Sequence, residues 1–255
     1  MAPSSMSSDP QASGGTTPTR FRVIDPDSGL DTATAARLHA ELFGQIGPVA
    51  KLGERLLQRY CYSYVLRTGM MKAVMIEVDG QPAGLAAWTG DSIALHRAAL
   101  RGHLPFLVAE TIRALAAQPS LLLRLPGAAR LLWERRRDRL PPATGKFAEI
   151  VAFGTLPQYR TRQFVRQTGL LVSDLLLDHV LDDVWAQGFT LVRGVVLASN
   201  KPAVSFFSAR STRVDTFPSA ALPSIQVWLE LGSGRDERLP HPKGARRAGR
   251  SSPAS

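Results

Sequence analysis

Between Phe147 and Ala198 two apolar strand-like runs flank one long amphipathic helix, and this succession constrains the fold more than any other stretch. Phe147–Thr155 reads as a strand. Thr168–Gln187 carries Leu171, Leu175, Val180 and Val184 at helical spacing. Phe189–Ala198 is almost continuously apolar, the pattern of a buried strand. A strand, helix, strand unit of this length is a crossover that sets its two strands parallel.

The segments upstream add antiparallel strands. Met71–Val78 and Pro82–Thr89 are strand-like runs joined through Asp79-Gly80, a strong hairpin signal. Before them, Phe21–Ile24 reads as a short strand. Asp31 or Thr32 caps a helix bearing Ala35, Leu38, Leu42 and Ile46, and Pro48 opens a second with Leu52, Leu56, Tyr60 and Tyr64, ending near Gly69. Residues 92–140 read as a helical insert broken at Gly102, Pro105, Pro119 and Pro126-Gly127. After the crossover come a helix from Lys201 to about Ala209 and strands at Arg213–Phe217 and Ser224–Leu231. The expected fold is α/β, a mixed central sheet with flanking helices plus the insert. One domain would span 21–231, between a disordered leader (1–20) and a disordered basic tail (232–255) with too few apolar residues to offset ordering entropy.

Charge narrows the function classes. The net charge is +10, but residues 92–140 hold nine Arg against three acidic residues, and residues 233–255 hold six Lys or Arg against two. The excess therefore lies in the insert and the tail. No helix-turn-helix, zinc finger or aromatic-lined basic sheet accompanies it, so no specific nucleic acid is expected. The single cysteine, Cys61, excludes an internal disulfide and a cysteine-cluster metal site. His96, His103 and His179 have no metal-ligand spacing, and no metal is expected. Without a signal-peptide pattern or an apolar run of membrane-spanning length, a cytoplasmic location is expected.

The chemistry-bearing motifs lie in one quarter of the chain. They are Pro157-Gln158-Tyr159-Arg160, Arg166-Gln167-Thr168-Gly169-Leu170-Leu171 leading into a helix, and Asn200-x-x-Ala203-x-x-Phe206-Phe207 after the second strand. This segment resembles the acetyl-CoA-binding heart of the GNAT (GCN5-related N-acetyltransferase) superfamily, including bacterial members with a helical insert. The resemblance implies a sheet whose parallel strands splay apart around acetyl-CoA. The Arg166–Leu171 loop would hold the pyrophosphate through free N–H groups and a helix dipole. Phe153, Gly154 and Thr155 would hydrogen-bond the pantetheine arm, and Asn200 and Phe207 would border it. Asn200 also suits a helix cap before Lys201-Pro202.

By the same resemblance Glu149, in Phe147-Ala148-Glu149-Ile150-Val151, would be the general base that frees a lone pair on the amine acceptor. Two positions depart from the family pattern. Leu171 stands where Gly or Ala is usual, and Phe207 stands where a Tyr can protonate the departing thiolate. Tyr60, Tyr62 and Tyr64 fall on the second helix, which flanks the acceptor in such folds. The implied function is acetyl transfer from acetyl-CoA to a primary amine, an amino sugar, small amine or protein amine. Alternatives are a non-catalytic acyl-CoA-binding module of the same fold and a nucleic-acid-binding protein. The Arg135-Arg136-Arg137-x-Arg139 cluster suits a solvated helix end, an anionic acceptor or peripheral membrane contact, and the insert a homodimer.

Overall fold

The computed structural model describes residues 17–44, 53–117, 146–217 and 223–231. Strand β1 (Thr19–Val23) pairs antiparallel with β2 (Lys72–Val78), Thr19 against Val78 and Val23 against Val74. Thr19 and Arg20, expected in the leader, are therefore strand residues, because the end of β2 offers them partners. Asp79 and Gly80 hold φ of 50° and 74°, the left-handed two-residue turn that matches strand twist, and β3 (Gln81–Thr89) returns along β2. β3 pairs antiparallel with β4 (Phe147–Thr155), with a bulge at Val151 where Ala87 faces Ala152 and Trp88 faces Ile150. β4 runs parallel to β5 (Leu191–Leu197). Beyond β5 lie β7 (Ser224–Glu230) and then β6 (Arg213–Phe217), both antiparallel to their neighbours, in the order β1-β2-β3-β4-β5-β7-β6. The mixed seven-stranded α/β sheet is the one expected.

Each face has its own core. On one, α5 (Val172–Ala186) and α6 (Lys201–Ser208) cover Val74, Ile76, Ala86, Trp88, Ala148, Ile150 and Val192. On the other, α1 (Gly29–Phe43) and α2 (residues 54–65) cover Ala73, Met75, Leu85 and Ala87. The N-cap of α1 is Ser28, whose hydroxyl accepts from the Asp31 amide, so the cap lies three residues before Asp31 and four before Thr32, the two expected caps. Its expected residue Ile46 lies outside the described residues, as do Pro48 and Leu52 of the second helix.

Helix α2 opens as Glu54–Leu56 and continues as a π-helix over Leu57–Val65. Its buried residues include Leu56, Leu57, Tyr62 and Val65, whereas Tyr60 and Tyr64 are only half-buried. The expected α-spacing of Leu56, Tyr60 and Tyr64 is thus replaced. Hydrogen bonds from i to i+5 widen the turn and bring Leu57 and Tyr62, five residues apart, onto one buried face.

α3 (Ser92–Ala117) supplies the described part of the insert. The break read at Gly102 and Pro105 appears as a kink, with His103 at φ −139°. The rest of the insert and the basic tail lie outside the described residues. Among the described residues no helix is long and apolar enough to cross a membrane.

Candidate active site

The β4–β5 ladder is short. Parallel pairing joins Phe147–Ile150 to Leu191–Gly194 and then stops, although β4 runs on to Thr155 and β5 to Leu197. Past Gly194 the strands splay, and β5 stays paired to β7 while β4 stays paired to β3. The facing backbone edges of Val151–Thr155 and Val195–Leu197 forgo ladder hydrogen bonds worth about 1 kcal/mol each. An extended ligand rich in amides can take them up.

α5 starts beside this fork. Its first residue follows Leu171, which caps through its carbonyl only, accepting from the amides of Asp174 and Leu175. Ser173 Oγ lies 2.7 Å from Thr155 Oγ1 and ties the helix start to the end of β4. Arg166, Gln167 and Thr168, read as loop, instead close a short helix, α4 (Arg162–Thr168). Thr161 caps it through the Phe164 amide, and Gly169 ends it at φ 70°. Only Gly169–Leu171 link α4 to α5. The sequence signal for α4 is the Thr161 cap, hidden by reading Arg166 as a loop residue. Arg160, Arg162 and Arg166 are exposed along this lead-in, giving the fork a basic approach. Asp174 in the first turn of α5 is held by Arg210, whose Nε donates at 2.8 Å and whose guanidinium lies 4.0 Å over the Phe206 ring.

The α6 side of the fork is aromatic. Phe153 stacks on Phe206 at 5.7 Å and meets Phe207 edge-on at 5.3 Å. Phe207 is buried in the core beneath α5. Asn200 is the N-cap of α6, its Oδ1 accepting from the Ala203 amide at 3.4 Å. Gly154 faces α1. A Cβ there would stand 3.2 Å from Phe43 Cζ, so α1 closes directly onto the splayed strand.

Because Ala148, Ile150 and Val192 point beneath α5, Glu149 and Arg193 point to the α1–α2 face. They are opposite each other, and Arg193 Nη2 donates to Glu149 Oε2 at 2.5 Å with both side chains under a tenth exposed. The guanidinium also lies 5.4 Å from the Phe147 ring centroid. Its Nε and Nη1 are buried and have no hydrogen-bond partner among the described residues, and unsatisfied buried donors cost about 1–3 kcal/mol each. Sequence reasoning passed over Arg193; the signal was one charged residue inside the apolar run Leu191–Leu197.

A second pair was also missed. On the α1–α2 face His39 Nδ1 lies 2.7 Å from the hydroxyl of Tyr62, which is 1% exposed. The ring meets Phe43 edge-on at 4.7 Å, one residue contact away from Gly154. Burial pulls His39 from 6.5 down to about 4 and raises Tyr62 well above its usual value, so both are neutral near pH 7. Nδ1 is the hydroxyl's hydrogen-bond partner among the described residues, and a buried phenol needs an acceptor. Tyr62 therefore donates to Nδ1, and the imidazole proton resides on Nε2. Cys61 beside them is pushed up to about 12 by burial, which suits packing and not a nucleophilic thiolate.

Neither a protein-family model nor a curated protein matches the sequence. The chain is similar in structure to the PaiA N-acetyltransferase from Thermoplasma acidophilum in complex with coenzyme A, at 10% identity over 84% of this chain and 99% of that one, TM-score 0.49. An N-acetyltransferase from Staphylococcus aureus Mu50 gives 10% identity, the same coverages and TM-score 0.47. FeeM, an N-acyl amino acid synthase from uncultured soil microbes, gives 13% identity over 88% of this chain and 97% of that one, TM-score 0.46. These likenesses are of fold alone; the strand order β1-β2-β3-β4-β5-β7-β6, with the parallel β4–β5 pair released after Ile150 and Gly194, is the chain's own.

Proposed function

We propose that the chain is an acyl-CoA-dependent N-acyltransferase that moves an acetyl group from acetyl-CoA to a primary amine. The observation that carries this reading is the fork: parallel strands released after Ile150 and Gly194, next to the start of α5. The pantetheine amides would pair with the free edge of Phe153, Gly154 and Thr155. The diphosphate would meet the amides at Gly169–Leu171 and the α5 N-terminus, with Arg166 adding charge. Asn200 and Phe207 would border the arm. The amine would approach on the α1–α2 face and attack the thioester carbonyl carbon, forming the C–N bond as the C–S bond breaks. Its excess proton would pass to Glu149, and the thiolate would leave with its electron pair, taking a proton from water because Phe207 has none to give.

A second reading, a binding module that holds acyl-CoA without transfer, draws on two observations. Phe207 is packed against Phe153, and the Glu149 carboxylate is already engaged by Arg193.

Calorimetric titration with acetyl-CoA, beside the Gly169→Trp variant, tests the ligand, and thiol release with a panel of amines tests transfer. Saturable binding lost in the variant is expected, and absent binding to acetyl-CoA and longer acyl-CoAs removes both readings. Binding without thiol release across the panel favours the module.

A further inference from the structure

We infer that Arg193 is an anion-recognition residue, and that the acceptor is a compact zwitterion whose carboxylate or phosphate oxyanion docks on it beside Glu149. The inference rests on the acyltransferase reading for the identity of the ligand, but not for the existence of the anion site.

A guanidinium has five N–H donors and no acceptor. Here Nη2 meets Glu149, while Nε and Nη1 are buried with no partner among the described residues, which leaves three N–H bonds unused there. Such donors occur where an ion, water or ligand group completes the site. The neighbours do not complete it. The Phe147 ring offers a π face, and Trp228, across the β5–β7 ladder, gives its indole N–H to Asp215 Oδ2 at 3.1 Å. Asp215 itself is engaged by Arg213. A carboxylate or phosphate oxygen is the partner that both satisfies these donors and suits a charge of this sign.

Position gives the site its meaning. Arg193 precedes Gly194, the last residue of the parallel ladder, and so stands one residue before the fork opens. It faces the α1–α2 side, together with Glu149, the group that would receive the amine proton. Since the two head groups touch, an acceptor using both must carry its amine and its anion within a few bonds of each other. A second anion on Arg193 also shares the charge that holds Glu149, so the carboxylate becomes freer to receive a proton when the acceptor is bound.

The test uses the full chain and three amines of one size: methylamine, glycine and aminomethylphosphonate, each titrated calorimetrically without CoA. Glycine or aminomethylphosphonate is expected to bind saturably and at least tenfold more tightly than methylamine, and the tighter of the two assigns carboxylate or phosphate. Arg193→Lys keeps a cation for Glu149 but removes the planar donors, and is expected to abolish the preference while leaving acetyl-CoA binding intact. A preference that survives in Arg193→Lys overturns the proposal. So does wild-type protein that binds acetyl-CoA yet shows no preference among the amines. Anion binding that depends on Arg193 in a protein that ignores acetyl-CoA keeps the site and removes the acyltransferase reading. Should Arg193→Lys unfold, the Glu149→Gln/Arg193→Met pair, which removes both charges, replaces it with the same expected losses.

Discussion

Arg193 lies directly across the parallel β4–β5 ladder from Glu149 and holds its carboxylate in a buried ion pair, at the last rungs before the strands separate. In the proposed reaction the pair sits where the acceptor meets the fork. Breaking it should therefore reveal both its structural and its chemical share.

Removing one partner strands a buried charge, so Arg193→Met alone should cost about 3–5 kcal/mol of stability, whereas Glu149→Gln/Arg193→Met should cost much less than the two single changes together. Denaturant unfolding of the four proteins checks this. If Glu149 is the base, Glu149→Gln should lower turnover about 100-fold or more while acetyl-CoA affinity stays within a few-fold. Unchanged thiol release would remove Glu149 from that role.

Phe207→Tyr would place a hydroxyl near the departing sulfur. Under the proposed mechanism thiol release should rise several-fold, and burying the hydroxyl without a partner should cost about 1–3 kcal/mol, because Phe207 is 5% exposed. Stopped-flow thiol detection and thermal unfolding read the two effects. A slower enzyme would show that Phe207 serves packing against Phe153.

Asp174 puts a negative charge on the first turn of α5, where the diphosphate is proposed to bind. Asp174→Asn should tighten acetyl-CoA binding about threefold to tenfold, with less effect at high salt, and release Arg210 toward the phosphates. Losing the charge at the helix start should cost about 0.3–1 kcal/mol. Calorimetry at two ionic strengths decides the first point, and weaker binding would place the phosphates elsewhere.

His39 makes stability depend on pH. Its folded value, about 4, lies below the unfolded 6.5, so the unfolded chain binds the extra proton between them. Its contribution is therefore intact above pH 6.5 and is lost as pH falls toward 4, up to roughly 3 kcal/mol. His179 is lowered as well, by burial, and adds loss in the same direction. The difference between wild type and His39→Phe isolates the His39 share. Parallel stability curves from pH 7 to 4 would contradict a neutral, partly buried imidazole.

Most of the sheet was legible because its signals are local. The bounds of β4 follow from its largely apolar run, and the Asp79-Gly80 turn follows from the backbone that those two residues tolerate. The crossover of β4, α5 and β5 follows from a change of period, two to 3.6 and back. The π-winding of α2 was not legible, since Leu56, Tyr60 and Tyr64 have good α-spacing and only packing against α1 and the sheet selects Leu57 and Tyr62. α4 was hidden for a similar reason, its seven residues being too few to show a period.

The candidate site divides along the same line. By itself the sequence determined that a charged residue stands in each of the two parallel strands, that Asn200 can cap α6, and that Phe207 brings no hydroxyl. Only the tertiary structure decided that Glu149 and Arg193 face each other, that Tyr62 meets His39, and that the ladder ends at Gly194. Residues within a few positions interact through fixed backbone geometry, so their pattern is readable along the chain. Cross-strand partners depend on register, and helix-to-helix contacts on how each helix is rotated, and the whole core sets both.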